Sequence, residues 1–176
     1  MVEVTSFKLW ISQIIILLGL LAFVMWLSIR PKSPDYTITK FSVENGNIEY
    51  ALEIQNPNKD SDTFFDDCIL TFFNNQDSIA STTIPRFSQD KGETTPKIGV
   101  VYVDAKVWKA LHDQISNRKA QLQAALASKI RYRTWGIKSR RYGVHLKAQL
   151  PIGSDGKIPS KTKMHNGTKK WRIRFT

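Results

Sequence analysis

Three features of this 176-residue sequence predict a mainly β fold, an antiparallel sandwich with one helix, preceded by a single transmembrane helix. Residues 9–29 form an uncharged apolar run. Several later segments alternate apolar and polar side chains with a period of two, so each offers one face to a core and the other to water. A further segment, residues 105–118, repeats its apolar residues at helical spacing.

The run from Leu9 to Ile29 holds 21 residues without a formal charge. At about 1.5 Å per residue it reaches roughly 30 Å, the thickness of a bilayer's hydrocarbon core. Trp10 and Trp26 lie near its ends, where indole rings favour the headgroup level, and Lys8 and Arg30 bracket it. A cleavage site for signal peptidase needs small residues, whereas Met25 to Arg30 is bulky apart from Ser28, so the helix is expected to stay as an anchor. Residues 1–8 are then a short tail, and residues 30–34 (RPKSP) a stalk whose prolines stop the helix. Counted locally, Arg30, Lys32 and Lys40 against Asp35 outweigh Lys8 against Glu3, which by the positive-inside tendency alone leaves the domain in the cytoplasm.

The domain spans residues 35–176. Ile38, Phe41 and Val43 make an irregular first strand, and Ile48, Tyr50, Leu52 and Ile54 a regular second one, joined through the Asn45-Gly46 hairpin signal. Strands follow at 69–73 and 98–103. Asp104 has the chemistry of a helix N-cap, and Val107, Trp108, Leu111 and Ile115 line one face of the helix after it. The alanines and glutamines of 118–134 suit a helix, but Leu122, Ala124, Leu126, Ser128, Ile130 and Tyr132 share one parity and Lys129, Arg131 and Arg133 the other, which favours a strand over 121–134. Tyr142, Val144, Leu146, Ala148 and Leu150 repeat the pattern with the odd-parity partners outward, as do Trp171, Ile173 and Phe175. Many alternating strands and one helix imply an antiparallel sandwich.

No catalytic constellation is legible. His112, His145 and His165 lack metal-ligand spacing, and Cys68, the only cysteine, excludes an intrachain disulfide framework. Asn58-x-Asp60-x-Asp62 imitates the opening of a calcium loop, but Thr63 stands where the sharp turn needs glycine and Ile69 where a bidentate glutamate belongs. No enzyme, metal site or cofactor is therefore expected. Asn56-Pro57-Asn58 reads as a strand terminator, because proline cannot donate to a ladder.

Asn56-Pro57-Asn58 after a strand, Phe64-Phe65-Asp66, Phe87-Ser88-Gln89 with Thr94-Thr95, and residues 130–150 containing Gly136-Ile137-Lys138-Ser139 together resemble the plant late-embryogenesis-abundant type 2 domain, in its membrane-anchored harpin-induced-like branch. The resemblance runs in order over residues 1–151, with Phe64-Phe65 where the family often has a tyrosine pair. It implies an immunoglobulin- or fibronectin-like sandwich at the plasma membrane, or at another endomembrane, facing the apoplast and linked to pathogen defence and stress responses. That orientation opposes the local charge count.

Net charge is +11, yet residues 1–113 carry 10 Lys/Arg against 14 Asp/Glu, while residues 114–176 carry 16 against Asp155 alone. Parity gathers Lys129, Arg131, Arg133, His145, Lys147, Arg172 and Arg174 on outward strand faces, a candidate surface for an anionic partner. Beside a membrane the partners on offer are an acidic cell-wall polysaccharide, anionic lipid or a protein rather than nucleic acid. If the domain is extracellular, the Asn166-Gly167-Thr168 sequon is a glycan acceptor. A cytoplasm-facing tether or lipid-binding domain is the competing expectation.

Overall fold

The computed structural model describes residues 2–28 and 30–167, so the strand expected at 171–175, with Arg172 and Arg174, lies outside the described residues. The chain divides into two compact units, one up to Lys32 and one from Ser33 on. The first is helix α1, Val2–Ser28, whose side chains from Phe7 to Met25 are all exposed. Phe7–Met25 is long and apolar enough to cross a membrane.

The second unit holds, in chain order, β1 (Asp35–Glu44), β2 (Asn47–Gln55), β3 (Ser61–Phe65), β4 (Cys68–Asn74), β5 (Asp77–Ile84), β6 (Phe87–Gln89), β7 (Thr94–Tyr102), α2 (Ala105–Ser116), β8 (Leu122–Thr134), β9 (Ile137–Lys138), β10 (Tyr142–Leu150), β11 (Thr162–Lys163) and β12 (His165–Asn166). One antiparallel sheet has the order β11-β1-β2-β7. The other runs β12-β10-β8-β3-β6, with β4 and β9 also paired to β8, and β5 to β4. This is the mainly β sandwich that the alternation predicts.

Local chemistry accounts for most elements. Asn45 and Gly46 take positive φ angles of 51° and 79°, the two left-handed positions of a tight turn whose twist matches its flanking strands. The irregularity of β1 is a bulge between Ile38 and Lys40, after which the register resumes and Phe41 and Val43 face inward. Asp104 accepts a hydrogen bond from Lys106 N at 2.9 Å, and α2 buries Leu111 and Ile115. The core joins the inward faces of both sheets. Phe72 lies with its ring 5.4 Å from Phe41 and 5.7 Å from Tyr50.

Strand β8 is the spine of the larger sheet, paired along one flank with β10 and along the other first with β4, then with β3. Leu122, Ala124, Leu126, Ser128, Ile130 and Tyr132 are all buried, as parity requires. Leu146, Ala148 and Leu150 of β10 are buried too, but Tyr142 is 50% exposed and Val144 only partly covered. The expectation that Tyr142 faces the core is corrected here. It has the right parity but sits where β10 outruns the sandwich, resting on Tyr132 at 6.1 Å.

Strands β3 and β6 escaped the periodicity reading because their inward positions are largely polar or the strand is short, and β5 because its buried Ile79, Ala80 and Ile84 do not alternate. Ser61, Thr63 and Gln89 are all buried. Residues 151–167, which match no pattern, cross between the sheets. β11 adds to the edge of β1 and β12 to the edge of β10, with Met164 buried between them, so two otherwise open edges are covered.

Tyr36 places its hydroxyl in this core with no hydrogen-bond partner among the described residues, and burial pushes its pKa well up. Tyr36→Phe removes that orphan while keeping the ring packed edge-on against Phe65. It is expected to stabilise the domain by about 1 kcal/mol in a denaturation experiment. A loss of stability would mean that the hydroxyl does have a partner.

Candidate functional site

Register brings five of the seven expected cations together. Lys129, Arg131 and Arg133 alternate along the outward face of β8, and β10 sets Gly143 beside Lys129, His145 beside Ala127 and Lys147 beside Ala125. Since cross-strand partners share a face, His145 and Lys147 continue the row. Lys129, Arg133 and His145 are exposed, while Arg131 and Lys147 are half-buried. Arg131 has its Nε buried without a hydrogen-bond partner among the described residues, so it retains an unspent donor. The stem of Lys147 passes so close to Gly167 that a β-carbon there would lie 3.2 Å from its Cγ.

Three further basic residues, which periodicity missed, join the row at its β10 end. A groove of about 500 Å³ is lined by Lys147, Lys161, Lys163 and His165 together with Gln123 and Gln149. His165 stands opposite Lys147 because β12 pairs with β10, and Lys163 comes from β11. Nothing local in 151–167 signals this, since two-residue strands carry no period.

The face is not free of acids, although residues 114–176 hold only Asp155. Arg133 donates from Nε and Nη2 to Asp62 Oδ2 at 3.0 and 2.7 Å, and its guanidinium lies 5.2 Å from the centre of the Phe64 ring. Arg141 pairs with Asp66 at 3.4 Å, and Lys163 with Asp35 at 2.7 Å. Each acid comes from the first 66 residues. Folding thus mixes charges that the linear sequence segregates, and Arg133 of the predicted set is paired with Asp62.

The motifs near Asn56 are structural. Asn56 is buried, and its Nδ2 donates to Ser61 O (2.9 Å) and Asp90 O (3.0 Å), while its Oδ1 accepts from Asn58 N (3.1 Å) and Asn58 Nδ2 (2.9 Å). One amide therefore ties the β2–β3 connection to the β6–β7 loop. Gln89, also buried, donates to Ile54 O at 2.7 Å and ties β6 to the facing sheet. The calcium-like triplet is dispersed by the same contacts, with Asn58 turned onto Asn56 and Asp62 onto Arg133. Among the described residues no group of three His, Cys, Asp or Glu side chains is placed to hold a metal. Cys68 is buried, with Sγ 3.1 Å from Ser128 Oγ, and its thiol pKa is raised chiefly by burial. His112 lies against Trp108 on α2.

Comparison with known proteins agrees with this architecture. The family model described as "Late embryogenesis abundant protein", LEA_2, matches residues 51–148, more than half of the chain. Protein NDR1 of Arabidopsis thaliana is 27% identical over 163 residues, covering 78% of this chain and 71% of its own. NDR1/HIN1-like protein 3 of the same plant is 28% identical over 156 residues, covering 79% and 68%. A solution structure of AT1g01470, also from Arabidopsis thaliana, superposes with a TM-score of 0.45 at 14% identity over 70% of this chain and 85% of that one. The chain belongs to the late-embryogenesis-abundant type 2 family, in its harpin-induced-like branch.

Proposed function

We propose that this chain is a membrane-anchored, non-enzymatic plant protein of pathogen defence or stress response, which holds its sandwich outside the plasma membrane and binds an anionic polymer there. Family membership and the two Arabidopsis relatives support the first half of this reading. The observation that carries the second is the run of basic residues from Arg131 through Lys147 into the groove with Lys161 and His165. An acidic cell-wall polysaccharide fits this extended layout, because a polyanion meets successive charges along a row. Charge attraction at such a surface is screened over about 10 Å at 0.1 M salt, so binding should be strongly salt-dependent.

Full-length chain in neutral-lipid discs should bind polygalacturonate at low salt and release it as salt is raised. The triple variant Arg131→Gln, Lys147→Gln, Lys161→Gln is expected to bind at least about tenfold more weakly, each contact being worth roughly 1 kcal/mol in water, with an unchanged melting temperature. Equal retention of both proteins would remove the polyanion from the reading.

Orientation is tested separately. Asn166 lies exposed on β12, accessible to an oligosaccharyltransferase if that side is lumenal. N-glycosidase treatment of plant-expressed protein should raise its gel mobility, and Asn166→Gln should abolish the shift. An unglycosylated domain digested by protease from the cytoplasmic side of sealed vesicles would instead establish the cytoplasm-facing tether that Arg30 and Lys32 favour.

A further inference from the structure

We infer that the β8–β9 hairpin is a membrane-docking finger, Trp135 and Ile137 entering the headgroup layer of the bilayer that α1 crosses while Lys138 and Arg140 meet anionic lipid. The inference rests on α1 being the anchor. It concerns residues outside the polyanion-binding set, at the end of the sandwich where Lys138 pairs in register with Arg133.

Trp135 is 69% exposed and Ile137 76%, so two large apolar side chains stand together in water at a two-residue turn. Trp135 and Gly136 have φ angles of 49° and 80°, with Thr134 and Ile137 paired across the turn. The left-handed first position of such a turn strongly favours Asn, Asp or Gly. This chain itself uses Asn there in the matching β1–β2 turn, where Asn45 has φ 51°. A tryptophan in that conformation is strained. Its exposed ring gains little packing in return, which points to a benefit outside the domain.

The finger also lies where the chain enters. Ser33, first residue of the folded unit, is hydrogen-bonded to the Tyr132 side chain, three residues before Trp135. Whatever precedes Ser33 is covalently joined at this end. Lys138 and Arg140 are exposed and make no ion pair among the described residues, while Arg133 and Arg141 are already matched by Asp62 and Asp66. The acids nearby are Asp60, next in register to the tip through the Ser61–Thr134 pair, and Asp90 and Glu93 on the adjoining loop. An aromatic tip flanked by cations matches the chemistry of an anionic bilayer interface, where indole rings and basic side chains partition together.

The test uses full-length protein reconstituted in phosphatidylcholine vesicles containing phosphatidylserine. A fluorophore is attached through Trp135→Cys or, as control, Gln76→Cys in the β4–β5 turn, which lies beyond the first residue of β8 and so at the far end. Buried Cys68 leaves the parent chain unlabelled. The probe at 135 should be quenched several-fold by brominated lipid and shielded from aqueous iodide, and the probe at 76 the reverse. Replacing Lys138 and Arg140 together by Gln should reduce the lipid quenching. Trp135→Asn should raise the melting temperature by a few degrees and release an Ile137→Cys probe into water. If the chain resists alkaline extraction yet the 135 probe is as open to iodide as the 76 probe, the finger is refuted and the anchor survives. If both probes are lipid-quenched, the domain lies on its side and the finger is equally refuted. Extraction of the chain at alkaline pH would overturn the anchor and the finger with it, and a lowered melting temperature for Trp135→Asn would overturn the strain argument.

Discussion

Asn56→Asp is expected to melt about 12–20 °C below the parent protein at pH 7. The substitution keeps the size of the side chain and replaces an amide that donates to Ser61 O and Asp90 O with a carboxylate that can donate to neither. Two carbonyl oxygens then face a buried negative charge with no cation beside it. Such an uncompensated charge typically destabilises by about 3–5 kcal/mol, and a domain of this size loses roughly 4 °C per kcal/mol. The sign of the pH dependence follows from the same contacts. Burial favours the neutral acid, so the folded-state pKa rises above the unfolded value of about 3.9. The charge penalty is therefore absent below about pH 4 and grows as the pH rises through the folded-state pKa, on top of the pH-independent cost of a lost amide donor. Asn56→Ala, which leaves the same carbonyls unpaired but introduces no charge, should lose less stability and show no such pH dependence. Thermal melts across this range decide the matter: a penalty for Asn56→Asp that is equal at pH 4 and pH 7 would show that residue 56 is not enclosed as described.

Leu146→Asp is expected to abolish the fold outright. Leu146 is 7% exposed and pairs directly with Leu126 at the centre of the β8–β10 ladder. An aspartate there loses the transfer energy of a leucine side chain, about 1.5–3 kcal/mol, and buries an unpaired carboxylate among leucines and alanines besides. Neighbouring His145 supplies the control, because it belongs to the same strand but faces outward. His145→Asp should shift stability by no more than about 0.5 kcal/mol, the usual range for surface positions. Tyr142→Asp should also be mild, since the ring is half exposed. Equal loss at positions 145 and 146 would dissolve the parity argument on which both the core and the cationic face depend. Circular dichroism of the full-length variants gives the readout.

These two sites differ in how visible they are before folding. Leu146 is legible because a strand's side chains alternate strictly, so five residues of β10 are enough to assign it a face. The same holds for β8, whose alanines and glutamines suit a helix until parity separates Lys129, Arg131 and Arg133 from Ile130 and Tyr132. Asn56 is different. Its residue type and the following proline mark a turn, yet nothing nearby specifies that the amide closes a contact with Asp90, 34 residues on. Tyr142 shows the limit of periodicity, which assigns a side but not how far the opposing sheet extends to cover it.

By itself the sequence determined what depends on neighbours in the chain: the apolar length of α1, the Asn45-Gly46 turn, the Asp104 cap, and the inward and outward faces of β2, β8 and β10. Backbone dihedral preferences and side-chain period act over a few residues, and their signals survive in any window. Only the tertiary structure decided which strands adjoin, and so which charges cancel. Asp62 reaches Arg133 across 71 positions, which removes one arginine from the predicted cationic face. Residues 151–167 bring Lys161, Lys163 and His165 into a groove beside Lys147. Polar strand β3 is held in the sheet by pairing with β8 and β6 rather than by an alternation of its own. Such pairings are selected by the summed burial and hydrogen bonding of the whole sandwich, a free energy that no short segment carries.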